Sequence, residues 1–158
     1  MNAVLTGIIG VAATLLGSFS TYLFQSRTAK RAAEFAREER LHQEQLSACT
    51  AFAVALSELK RGLVTLWFAG QRGHDADYQA TQVQCDRLGA SAEAARFRVQ
   101  LVSGGPGLMS LADSAFTAVG AIGRTAERDE LREQEDRFEA AVKEFIAAAA
   151  ARLRMAAA

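Results

Sequence analysis

The chain opens with 26 residues, Met1 to Ser26, that carry no charged side chain; every Lys, Arg, Asp and Glu lies from Arg27 onward. Inside that stretch, Val4 to Phe24 is a run of 21 residues, VLTGIIGVAATLLGSFSTYLF. A helix rises ~1.5 Å per residue, so this run is roughly 30 Å long, the thickness of bilayer hydrocarbon. Its polar members are Thr6, Thr14, Ser18, Ser20 and Thr21, hydroxyls that bond back to helix carbonyls at little cost in lipid. Residues 1–26 are therefore expected to form a transmembrane anchor. A cleaved signal peptide would need a basic leader, and Met1-Asn2-Ala3 offers only the terminal amine.

Orientation follows from the flanks. Arg27, Lys30 and Arg31 form a juxtamembrane basic group just after the run, and nothing basic but the terminus precedes it. The positive-inside rule then places the N-terminus outside and the C-terminal domain in the cytoplasm of a single-pass inner-membrane protein. Gly10, Ala13, Thr14 and Gly17 follow a small-xxx-small spacing. That spacing marks a candidate face for helix association in lipid, although glycine is common in such helices and the full GxxxG form is absent.

The remainder reads as all-α. Residues 27–45 are strong helix formers, polar all round, and are expected to form a solvated stalk continuous with the span. Residues 46–158 are expected to form an antiparallel bundle, giving about four helices in all. Cys49, Phe52, Leu56, Leu59, Leu63 and Leu66 step by three and four, placing them on one helix face. Gln71 to Asp77 reads as a turn with Gly73 as breaker and Asp75 or Asp77 as N-cap. Cys85, Leu88, Ala92, Ala95, Val99 and Val102 repeat the seam, so a short hairpin is expected. Ser103-Gly104-Gly105-Pro106-Gly107 is the strongest break, with Pro106 in the first turn of the next helix. That helix is marked by Leu108, Leu111, Ala115, Val119 and Ile122. Thr125 is the candidate cap of the last helix, whose stripe holds Leu131, Phe138, Val142, Phe145, Ile146, Ala149 and Leu153. No strand pattern is found.

The glycine-dotted span, the Gln25-Ser26-Arg27-Thr28-Ala29-Lys30-Arg31 boundary, the Glu/Arg-rich helix and the Ala/Leu-rich antiparallel domain together have a familiar look. Nearly the whole chain resembles a broad group of small, uncharacterised membrane-anchored proteins of high-GC bacteria. The resemblance is architectural. It implies an anchored cytoplasmic helical domain and lends no activity, cofactor or residue role.

Candidate chemistry is sparse. The 18 basic and 18 acidic residues balance, which argues against a nucleic-acid binder. Cys49 and Cys85 make no metal or redox motif. In the expected hairpin they are offset by ~20 Å along the helices, too far for a disulfide, so both read as small buried residues. Glu38 and His42 share a helix face, but two ligands do not close a metal shell. The glycine-rich loop lacks the Gly-Lys-Ser/Thr ending of a phosphate cradle. The acids from Glu127 to Asp136 interleave with Arg128 and Arg132, as a solvated helix face does. Trp67 either closes the core or serves as an exposed anchor for a partner.

Neither catalytic, cofactor nor metal residues are assigned, and the chain does not read as an enzyme. The function expected is a membrane-tethered helical interaction or scaffold module whose partners are the bilayer and a protein, or a second copy. An oligomerising pore or holin-like protein and an enzyme with an unrecognised site are the alternatives.

Overall fold

A computed structural model describes the backbone of residues 2–73, 75–103 and 105–156, and the side chains of residues 32–73, 76–103 and 105–155. Four helices account for nearly all of it: α1 (Asn2–Arg72), α2 (Asp75–Ser103), α3 (Pro106–Ile122) and α4 (Arg128–Ala156). No strand occurs among the described residues. The all-α reading therefore holds.

The chain divides into two compact units, Met1–Arg40 and Leu41–Ala158. In the first, residues 32–40 are helical and exposed throughout, as a polar-all-round sequence requires. The side chains of the uncharged run lie outside the described residues. So do Gly10, Ala13, Thr14 and Gly17, and the basic Arg27, Lys30 and Arg31. Among the described residues no helix is long and apolar enough to cross a membrane.

The second unit is a four-helix bundle. Its α1 and α2 segments form the expected antiparallel hairpin. Gln45 donates to the Val102 carbonyl (2.9 Å), Gly62 lies against Cys85 and Leu88, and Gly70 lies against Tyr78. The paired numbers fall as they rise, which is the signature of antiparallel register. The turn uses Gly73 at φ +68°, a conformation that a Cβ would strain. Asp77 is the third residue of α2, inside the helix, and so is not its cap; the side chain of Asp75, the other candidate, lies outside the described residues. Asp77 instead places its charge in the first turn, where the helix dipole favours an acid.

Alanine and glycine set the closeness of the hairpin. A Cβ on Gly62 would sit 2.8 Å from Leu88 Cδ1 and 3.3 Å from Cys85 Sγ. The two helices therefore meet where α1 has no side chain. Across the bundle, Phe52 and Phe145 meet edge-to-face with centroids 5.2 Å apart. Leu56, Val99, Val119 and Ile122 are fully buried around them. Both seams read from the sequence are buried or half-buried, and Ala48, Ala55 and Ala112 join them.

The caps differ from expectation in one place. Pro106 occupies the start of α3 behind an extended Gly105, as anticipated. Thr125 does not cap α4. Its hydroxyl donates backward to the Ile122 carbonyl (2.8 Å), closing the end of α3. The start of α4 is held by Glu130, whose carboxylate accepts from the Ala126 amide, while Leu131 N–H donates to the Glu127 carbonyl. A threonine hydroxyl in a tight turn bonds the nearest carbonyl, and here that carbonyl lies upstream. Ile146 also departs from its assigned stripe. It neighbours the inward Phe145, about 100° round the helix, and is half-exposed.

Ion pairs decorate the surface. Lys60 on α1 joins Glu135 on α4 (2.8 Å), and Arg96 on α2 joins Asp113 on α3 (2.8 Å). The Arg96 guanidinium also lies over Phe97 and Phe116, at 5.2 and 5.0 Å from the ring centroids. Such exposed pairs contribute at most about 1 kcal/mol each, so the bundle rests on its apolar seams.

Gly73→Ala is expected to lower stability by about 1 kcal/mol, read from the urea midpoint, because a Cβ is strained at φ +68°. Both cysteines are free and buried, and burial raises both thiol pKa values. Native chain should therefore react with a disulfide reagent far more slowly than urea-unfolded chain, measured by thiol release at pH 8. Fast native labelling at either position would contradict the buried seam.

Candidate functional site

The described residues offer little reactive chemistry. No group of three His, Cys, Asp or Glu side chains that would hold a metal exists among them. Glu38 is exposed and His42 is half-buried on α1, in line with a largely solvated face. His74 lies outside the described residues. Cys49 sits beside Arg152, whose positive charge favours the thiolate, but burial is the larger effect and keeps the thiol protonated. Cys85 is raised by burial and further by the nearby Asp86 carboxylate. Neither is an activated nucleophile, which needs a lowered pKa.

The acidic run of α4 forms ion pairs, as expected of a solvated face. Arg137 binds Glu133, Arg132 approaches Asp129 (3.8 Å), and Lys143 approaches Glu139 (3.8 Å). Among the described residues, Glu135 and Glu139 are the α4 acids that reach another helix, at Lys60.

Trp67 resolves toward the core. It is half-buried, packs against the core cluster and meets Phe68 edge-to-face at 5.0 Å. Its indole Nε1 is buried without a hydrogen-bond partner among the described residues. It lines a cavity of about 370 Å³ at the turn end of the bundle, together with Tyr78, Gln71 and Thr125. A polar cleft of about 590 Å³ runs between α1 and α2, lined by Glu58, Arg61, Thr65, Thr81 and Gln84. Its lining mixes charges and hydroxyls that water satisfies.

An apolar groove lies between α1 and α4. It encloses about 280 Å³, and its walls are Leu46, Ala53, Phe145, Ile146, Ala150 and Leu153. Its floor is the buried face of Cys49 and Ala149. Two large aliphatic side chains stand at its rim: Leu46 is 50 % exposed and Ile146 48 % exposed. The groove arises because small residues, Thr50 and Ala53 on α1 and Ala149 and Ala150 on α4, face each other where larger ones would fill the gap. Exposed, clustered aliphatic groups beside a concavity are what a helical partner engages.

Sequence reasoning put Ile146 in the core and gave Leu46 no role. The clue available was that Ile146 follows Phe145 directly, and adjacent residues on a helix cannot share one narrow stripe.

Comparison with known proteins gives one positive finding. No curated protein and no solved structure matches the chain. A family model described as KilB plasmid transfer protein matches residues 46–153, well over half of the chain. The matched span starts and ends at groove residues, Leu46 and Leu153, and takes in all four helical segments of the bundle. The chain accordingly belongs to the KilB plasmid transfer protein family.

Proposed function

We propose that this chain is a membrane-tethered helical interaction module acting in plasmid transfer. Its amino-terminal run anchors it in the inner membrane, with the terminus outside and the bundle in the cytoplasm. The bundle serves as the docking element for a protein partner or for a second copy. The observation that carries the reading is the 21-residue uncharged run closed by Arg27, Lys30 and Arg31, ahead of a chain segment that folds around its own core. The process comes from the family description, which names plasmid transfer. The groove rimmed by Leu46 and Ile146 supports a protein-binding role. Balanced surface charge supports a protein rather than a nucleic acid as the ligand.

Two measurements test the parts separately. Full-length chain should stay with membranes after carbonate washing; recovery in the aqueous fraction, with the amino end intact, removes the tether. Crosslinking in native membranes should capture a partner or a second copy. Leu46→Asp or Ile146→Asp should cut that yield by at least about tenfold, since a buried charge at an interface centre costs 2 kcal/mol or more. Both side chains are half-exposed, so helicity by circular dichroism should not change. Recovery of monomer alone from the parent chain removes the interaction reading.

A further inference from the structure

The helix α2 carries apolar side chains on two opposite faces. Its inward seam holds Cys85, Ala92 and Val99, all buried. Val83, Ala90 and Phe97 each stand two residues earlier, about 200° round the helix, and all three are exposed. With Arg87, Ala94 and Leu101 they step by four and three from 83 to 101. The bundle leaves this outer stripe open: Val83 is 52 %, Phe97 48 % and Leu101 86 % exposed. Arg96 lies over one face of the Phe97 ring and still leaves the residue half-exposed. Single exposed apolar residues are ordinary on a protein surface. A stripe that keeps a 3.5-residue repeat over about five turns is the seam of a helix pair.

The flanking charges identify the occupant. Asp86, Arg87, Glu93 and Arg98 lie on the stripe or beside it, and all are exposed. Among the described residues none of the four is in an ion pair. Asp86, Arg87 and Arg98 have no opposite charge one turn away on α2, and Arg96, one turn from Glu93, is taken by Asp113 of α3. In the heptad that the stripe defines, Asp86 and Glu93 flank one side and Arg98 the other. Two parallel copies then set Glu93 opposite the partner's Arg98, and Arg87 beside the partner's Asp86. Symmetry doubles both pairs. Antiparallel copies bring acids together. In one register Asp86 meets the partner's Glu93, and in the other Glu93 meets the partner's Glu93. The first of these also joins Asp77 to the partner's Arg98, which does no more than offset the repulsion. Arg87 within the stripe fits the parallel pair, because one polar seam residue fixes register at some cost in stability.

We propose that α2 pairs through this outer stripe, in parallel, with α2 of a second copy of the chain. The proposal rests on the tethered interaction module and names the second copy and its surface; the groove between α1 and α4 is left to another protein. The chain enters both bundles of a parallel pair from the same end, which suits two copies held in one bilayer. Ala90 and Ala94 add little area, so the contact is weak in free solution. Confinement to a membrane raises the effective concentration that populates it.

The test is disulfide trapping of full-length chain in lipid vesicles, with copper phenanthroline as oxidant; the native cysteines are buried. Val83→Cys should give a covalent dimer, because parallel copies bring position 83 against itself. Antiparallel copies would hold the two positions ~16 Å or more apart, beyond the ~7 Å reach of a disulfide. Ala90→Cys, near the middle of the stripe, comes close to itself in either orientation. Asp136→Cys, exposed on α4, reports random collision. In the Val83→Cys chain, Arg98→Glu should lower the trapped fraction about fivefold, as two ion pairs become two repulsions. Adding Glu93→Arg reverses the pair and should restore trapping, which no purely structural effect of Arg98 would do. Leu101→Asp should abolish trapping.

Trapping of Val83→Cys no faster than Asp136→Cys overturns the proposal. Trapping of Ala90→Cys alone means an antiparallel contact and overturns it too. Failure of Glu93→Arg to restore the dimer removes the charge pairing, and with it the second copy as occupant. Carbonate extraction of the same vesicles reports the tether independently of the disulfide.

Discussion

Phe52 and Phe145 meet ring edge to ring face in the middle of the bundle, and neither retains contact with water. That contact locks α1 to α4, and α2 and α3 pack around the pair through smaller residues. A T-shaped aromatic contact fixes an angle as well as a distance, so it sets the spacing between the two helices. With α1 and α4 held apart by two rings, the alanines further along both helices cannot close the space between them. The open groove at Leu46 and Ile146 is the consequence. Core and candidate site therefore share one cause: large residues at one level of the α1–α4 interface and small ones at the next.

Most of the fold was legible because the seams keep a strict three-four spacing. That spacing assigned α1, α2 and α3 their inward faces, and the short turn at Gly73 gave the hairpin its antiparallel sense. What escaped the sequence was set by tertiary contacts. Thr125 looked like a cap, yet the Ile122 carbonyl was the nearer partner once α3 had ended at Gly123. Ile146 looked like core, yet Phe145 had already taken the inward direction. Ala48, Ala55 and Ala112 are wholly or almost wholly buried, but alanine carries too weak a hydrophobic signal to announce it.

The candidate site was less legible than the core. A groove is defined by what two distant helices fail to fill, and no local pattern in 46–53 or 145–153 records that. Charge was similar. The 18 basic and 18 acidic residues cancel in the sum, and only the antiparallel arrangement gathers Arg98, Arg152 and Arg154 to one end.

The helix α1 has a mechanical consequence. One wall of the core is built on the same element that runs back to Asn2. Tension applied through that element would load the Cys49–Leu66 seam in shear along its whole length, so that its contacts resist together and not one after another. A hairpin pulled open from its two free ends would instead unzip. The bundle is thus wired to bear load through its amino-terminal side.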